Sequence, residues 1–212
     1  MRTLKMLALA AIAALGLMAF VGAGTASAAT TCKTKPNAAN ECPTGWHHPI
    51  GTIIHATLKV GTTANLETTA GETVDTCTES TIKSHTTTTG GLNKPVKTAV
   101  TVLSWGSVST PCTTTTDTLT LGELEEEANG TVGNGTVTGS GSKVTVNIAG
   151  LSCVYGTGGG TTLGTATGGE PATIDVNAVI NKQEGSFLCP STTRWTATYV
   201  TTEPIPYWIA NA

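Results

Sequence analysis

Along most of this chain apolar side chains recur at every second position. In GTIIHATLKVG, Ile54, Ala56, Leu58 and Val60 fall on one face and His55, Thr57 and Lys59 on the other. In SKVTVNIAG, Val144, Val146 and Ile148 stand opposite Thr145 and Asn147, and in WTATYV, Trp195, Ala197 and Tyr199 alternate with polar or branched residues. A period of two with one polar face belongs to half-buried strands in antiparallel sheets. Glycines and Asn-Gly steps, among them Asn129-Gly130 and Asn134-Gly135, interrupt the runs as turn signals. LGELEEEANG comes nearest to a helical pattern and is short. The expectation is an all-β domain, an antiparallel sandwich or partly open barrel.

The order of the pieces repeats. Residues 77–112 lie over 153–189 at a shift of 76, so that Cys77 meets Cys153 and Pro95 meets Pro171. Beyond the prolines the alternation keeps phase, with Val96, Thr98, Val100 and Val102 against Ala172, Ile174, Val176 and Ala178. The agreement of Cys, Pro and strand phase predicts two quasi-repeated halves, about 51–124 and 130–208, in a β domain spanning 51–212.

Composition favours the same class. Threonine is the commonest residue of the chain, and β-branched side chains suit a pleated strand better than a helix. The first 28 residues read as a signal peptide: Arg2 and Lys5, an uncharged apolar run, then small residues at Ala26 and Ala28. Ala29-Thr30-Thr31 before Cys32 does not resemble a lipoprotein site, so the expectation is free export, with no stable membrane insertion once the leader is removed. Removal takes Arg2 and Lys5, leaving 9 basic against 14 acidic side chains, a net charge of −5. A mildly acidic chain without a basic patch argues against nucleic acid as a partner.

All six cysteines, Cys32, Cys42, Cys77, Cys112, Cys153 and Cys189, follow the leader, and none forms a C-x-x-C pair. In an exported chain that count reads as disulfides. If the repeat holds, equivalent cysteines pair within each copy: Cys77–Cys112 and Cys153–Cys189, leaving Cys32–Cys42 to pin an N-terminal segment over 29–50. The rival pairing exchanges partners between copies, Cys77–Cys153 and Cys112–Cys189.

Several features bear on chemistry. CVYGTGGGTTLGTATGGEP (153–171) contains neither G-x-G-x-x-G nor a lysine-bearing phosphate loop, so it predicts a flexible connection rather than a nucleotide site. His47, His48 and His55 offer imidazoles, but neighbours on an extended chain point to opposite sides, and no metal site is expected. Glu123, Glu125, Glu126 and Glu127 in ELEEE read as a solvated edge strand or turn. No G-x-S-x-G elbow accompanies the histidines, so no catalytic residue and no cofactor is assigned. Trp195 and Tyr199 read as core, whereas Trp46, Trp208 and Tyr155 are candidates for an exposed sugar-stacking face. The threonine runs 86–89 and 113–116 are candidates for O-linked sugar.

The succession of Cys153, Tyr155-Gly156, a Gly-rich stretch, TGG, Cys189-Pro190, WTATY and the closing PIPY resembles a group of exported Thr/Gly-rich β-proteins of high-GC Gram-positive bacteria. The resemblance runs from about Gly51 to Trp208. It implies export and brings no activity, cofactor or site residue. The functional expectation is a secreted, non-enzymatic protein of structural or binding character at or outside the cell envelope. A carbohydrate or cell-wall binding module, with cell-wall glycan as partner, is the alternative, and an exported hydrolase comes third.

Overall fold

The computed structural model describes residues 28–106, 112–114 and 116–212, and every regular element among them is a strand. The leader falls outside the described residues apart from Ala28. No helix among the described residues is long and apolar enough to cross a membrane.

The first half contributes β2 (Ile53–Leu58), β3 (Ala64–Thr68), β4 (Thr73–Cys77), β5 (Ser80–Thr86), β6 (Val96–Trp105), β7 (Thr116–Thr120) and β8 (Glu123–Ala128), after a short β1 (Thr30–Cys32). The second contributes β9 (Asn134–Ser140), β10 (Lys143–Ile148), β11 (Leu151–Gly156), β12 (Thr161–Thr167), β13 (Thr173–Gly185) and β14 (Thr192–Glu203), followed by β15 (Trp208–Ala210). Strands β2-β5-β6-β8 pair in that order, and β9-β12-β13-β14 repeat it. The pairs β8–β9 and β14–β2 join the two blocks into a closed antiparallel barrel of eight strands. Closure removes the free edges that a sandwich or a partly open barrel would keep.

The remaining strands form a second layer of the same sheet, and here the halves exchange. The β3–β4 hairpin of the first half pairs with the N-terminal end of β14, Thr193–Thr196. The β10–β11 hairpin of the second half pairs through β10 with β7 of the first. The long β13–β14 hairpin spans both levels: Thr173–Val176 pairs with β12 in the barrel, and Cys153–Gly156 of β11 pairs with its far end. At the opposite mouth β1 and β15 make a two-stranded plug.

Most inward positions are those the alternation marks. Ile54, Ala56, Leu58, Val96, Val100, Val176, Ala178, Trp195 and Tyr199 are all buried. Fully burying a large side chain such as Tyr199 stabilises by about 2–3 kcal/mol. Two positions depart. Val60 is 98% exposed, because β2 ends at Leu58 and Lys59–Thr62 turns, with the Thr62 amide on the Lys59 carbonyl. Val102 is exposed because the β5–β6 register shifts at Lys83/Ser84; opposite that shift Thr101 is extra, and the phase reverses. The bulge carries Leu103 and Trp105 to the inside.

Three other expectations need correction. ELEEE is neither an edge nor a turn: β8 lies between β6 and β9, with Glu126 only 3% exposed. Asn129-Gly130 does turn, at the β8–β9 connection, but Asn134-Gly135 opens strand β9. The Gly-rich stretch is two strands, β11 and β12, joined by a turn at 157–160. Some of its glycines serve close packing: a Cβ at Gly164 would run into the Asp175 carbonyl, and one at Gly168 would lie 2.6 Å from the Trp208 ring.

Candidate binding chamber

Below the barrel, the second-layer strands wrap round a chamber. Its walls are Leu66 from β3, Leu103 and Trp105 beyond the β6 bulge, Val144 from β10, Ile180 from β13 and Trp195 from β14. Tyr155, fully buried on β11, and Asp75 on β4 also belong to the lining. The space is partly open, about 50 Å³ in volume, and its surface is almost wholly apolar. The Trp105 and Trp195 rings meet edge to face at 5.3 Å, and Trp195 meets Tyr199 the same way at 6.2 Å. Tyr199 in turn shares a hydrogen bond of 2.9 Å with Ser80 Oγ, which fixes the deep end of the aromatic row.

Asp75 ties one seam of the chamber wall. Edges β4 and β7 are not paired with each other, and the segment entering β7 crosses the gap between them. Asp75 Oδ1 accepts from Thr113 Oγ1 at 2.8 Å and from the Thr114 amide at 2.9 Å, and Oδ2 accepts from Thr116 Oγ1 at 2.6 Å. The Thr113 amide donates to the Thr76 carbonyl, and Thr113 Oγ1 accepts from the Thr76 amide. Cys77–Cys112 bonds the same seam covalently. A carboxylate only 3% exposed with three donors is well satisfied without a cation. Asp75, Cys77 and Cys112 cluster within 4.8 Å, but both sulfurs belong to the disulfide, so the cluster offers no thiolate to a metal. The other disulfides are Cys32–Cys42 and Cys153–Cys189, so each bond lies within its own copy or segment.

Two indole groups of the chamber stand out chemically. Trp105 Nε1 is buried and has no hydrogen-bond partner, while the indole of Trp195, also buried, interacts with the Tyr199 hydroxyl beside it. Indole N–H is a donor only, and leaving it unmet inside a protein costs about 1–3 kcal/mol.

The plugged mouth at the other end is differently made. Glu126 Oε2 accepts from Tyr207 Oη at 2.5 Å, inside a lining of Ile54, Ala166, Ile174 and Ile209. Burial pushes the Glu126 carboxyl up to about 7 and Tyr207 well above the usual phenol range. His48 packs on Tyr207 with ring centroids 5.5 Å apart, and burial lowers its pKa. Ile209 fills the mouth over Gly135, where any Cβ would lie 2.7 Å from Ile209 Cδ1.

The histidines do not converge. His47 Nδ1 bonds Thr30 Oγ1 at 3.0 Å, His48 turns into the plug, and His55 stays on the outer side of β2, across from Lys83 and Glu203. The aromatic candidates separate too. Tyr155 is buried, Trp208 is half-buried over Gly133 and Gly168, and of the three only Trp46 is exposed, at 53%. No stacking face results from these three. Within the threonine runs, Thr86 is buried and Thr113 and Thr116 bind Asp75, so those hydroxyls have structural work. Sequence reasoning assigned no role to Asp75 or Trp105 and read Glu126 as solvated. Parity marks both carboxylates, since Asp75 is in phase with half-cystine Cys77 and Glu126 with Leu124 and Ala128.

No family model, no curated protein and no solved structure matches this chain. What can be said of its class rests on the geometry: it is a disulfide-stabilised all-β protein built on a closed antiparallel barrel.

Proposed function

We propose that this is an exported, non-enzymatic binding protein whose ligand seat is the chamber between the exchanged hairpins. The observation that carries the reading is an apolar space of about 50 Å³ walled by Trp105 and Trp195. Well-packed interiors leave few voids of that size, and an apolar one stays dry and receptive to an apolar guest. Asp75 and Glu126 support a non-catalytic role, because each carboxyl is held by fixed hydroxyl partners rather than set opposite a nucleophile. Xenon is a suitable probe, being apolar and of the right size. Xenon NMR should show saturable uptake that Ala64→Leu, which fills the void from its wall, abolishes. Absence of uptake by the wild-type chain overturns the reading.

Three disulfides support an oxidising, extracellular setting, in keeping with the exported proteins of high-GC bacteria that the chain resembles. The bond from Cys32 to Cys42 leaves no sulfur there for a lipid. Mass spectrometry of the secreted protein should find Ala29 at the N-terminus; an intact leader or a lipid on Cys32 would contradict export in free form.

A second reading, glycan binding, is favoured by one feature. Where β14 changes partner from β2 to β3, an open groove of about 340 Å³ runs over Thr62, Thr63, Asp175, Asn177, Thr196 and Thr198. Hydroxyl, amide and carboxylate groups along it suit a polyhydroxy ligand. Retention on cell-wall polysaccharide that Asp175→Ala and Asn177→Ala weaken supports this reading; retention unchanged by both removes it.

A further inference from the structure

We infer that Asn129-Gly130 is a site of spontaneous covalent modification, at which Asn129 loses its side-chain amide as ammonia and becomes an isoaspartyl or aspartyl residue. The inference does not depend on what the chamber binds. Asn129 and Gly130 are both exposed in the connection between β8 and β9. The Thr131 amide donates to Asn129 Oδ1 at 3.1 Å, which loops the side-chain carbonyl back across Gly130. Among the described residues the Gly130 amide has no hydrogen-bond acceptor, and a Cβ there would meet nothing within 4 Å. The reaction begins when hydroxide removes the Gly130 amide proton and the nitrogen attacks Asn129 Cγ. An N–C bond forms, the Cγ–Nδ2 bond breaks, and ammonia leaves with a proton taken from water. The Thr131 amide, already on Oδ1, meets the negative charge that gathers on that oxygen during the attack. Water then opens the cyclic imide. Attack at the Asn129 main-chain carbonyl leaves an isoaspartyl link, and attack at Cγ leaves an aspartate.

The other Asn-Gly step, Asn134-Gly135, has the same chemistry and the opposite setting. Asn134 opens β9, and its Oδ1 accepts from the Gly168 amide at 3.2 Å. Gly135 is buried inside the sheet, opposite Ala128 on β8 and Ala166 on β12. Cyclisation there would pull a strand residue out of two ladders, so it waits on local opening. The reactive step also adjoins the plug. In the same connection Gly133 donates its amide to Asn40 Oδ1 at 2.7 Å, and its carbonyl accepts from the Ile209 amide at 3.1 Å. The Asn134 amide on the Thr131 carbonyl, at 3.0 Å, fixes the shape of the turn that presents Gly133. An isoaspartyl link adds a carbon to the main chain of that turn and a carboxylate to its surface. Both changes loosen the hold of Gly133 on Ile209, so the modification is an irreversible ageing of the plugged mouth.

To test this, the full mature chain with its disulfides intact is aged in mildly alkaline water enriched in heavy oxygen. Its peptides are then sequenced by mass spectrometry, and the label taken up from water locates and times the reaction. In the folded chain Asn129 should take up label at least about tenfold faster than Asn134, which must wait for β9 to open. In the reduced, unfolded chain the two rates should converge. Gly130→Ala, which hinders the attacking nitrogen, should slow uptake at Asn129 and leave Asn134 unchanged. Hydrogen exchange at the Ile209 amide should be faster in the aged protein than in the fresh one. Equal rates in the folded chain, faster uptake at Asn134, or none at Asn129 would overturn the inference. Ile209 exchange unmoved by ageing would overturn its consequence for the plug.

Discussion

The two ends of the barrel enclose side chains by opposite means. At the plugged mouth, β1 and β15 push Ile209 over Gly135, and the space is filled down to a titratable pair, Glu126 and Tyr207. At the chamber, borrowed hairpins form the wall, a carboxylate of the lining latches the seam, and the space within stays unfilled. One end places its ionisable group inside and packs round it. The other places its ionisable group in the seam and keeps the inside apolar. The difference teaches that a buried carboxylate acts as a latch where several donors converge on it, and as a pH-dependent load where a single hydroxyl does.

The disulfides give the largest effect by which to test that contrast. Cys77–Cys112 closes 35 residues, and its replacement by serines should cost about 4 kcal/mol on the loop-entropy relation; Cys32–Cys42 closes 10 and should cost about 3. Denaturant titration of the two double variants measures both. Loss of the first should also open the chamber and abolish xenon uptake, while loss of the second should leave uptake intact. Equal effects on uptake would mean the two ends are not independent.

Next comes the pH dependence of the plug. The folded chain keeps the Glu126 proton up to about 7, whereas the unfolded chain releases it near 4.5. Between those values the folded state holds more protons, so stability falls as pH rises, by about 3 kcal/mol in all. The contribution is complete below pH 4.5 and gone above 7. His48, lowered by burial, acts in the opposite sense below its ordinary 6.5. Glu126→Gln should therefore remove the gain on acidification and leave the opposing slope of His48 and His55, both lowered by burial. An unchanged profile in that variant would remove Glu126 as its source.

The smallest effect is expected at the tip of the β13–β14 hairpin. Phe187 is 89% exposed, and its loop is held by Lys182 Nζ on the Ser186 and Cys189 carbonyls. Phe187→Ser should change stability by no more than about 0.5 kcal/mol. A larger loss in thermal unfolding would show that the ring packs on something.

Much of this architecture was legible because period two survives wherever a strand is regular. Ile54, Ala56 and Leu58 on β2 and Val176 and Ala178 on β13 needed only that rule. It failed where the backbone broke step. Nothing in TAVTVLSW announces the extra residue at Thr101, yet that residue decides that Trp105 faces inward. Glu126 was hidden for another reason: four glutamates in five residues read as solvent, although strict parity through Leu124 and Ala128 singles one of them out. The glycines of 156–168 misled in the same way, because a missing side chain signals close approach as readily as freedom. The chamber itself was beyond reach, since its walls come from strands paired across the two halves.

That exchange of hairpins bears on how such a chain assembles. Each half lends its hairpin to the other while a disulfide, Cys77–Cys112 or Cys153–Cys189, leashes the lent piece to its owner. Neither half completes its own hydrogen bonding, so the molecule should lose structure in one cooperative step rather than half by half. A chain of half this length would find a partner for its hairpin only in a second copy, by the mutual loan that makes swapped dimers. Joined in one chain, the two halves need not meet by diffusion, and the two ends they build together are free to differ: one mouth stoppered, one hollow kept.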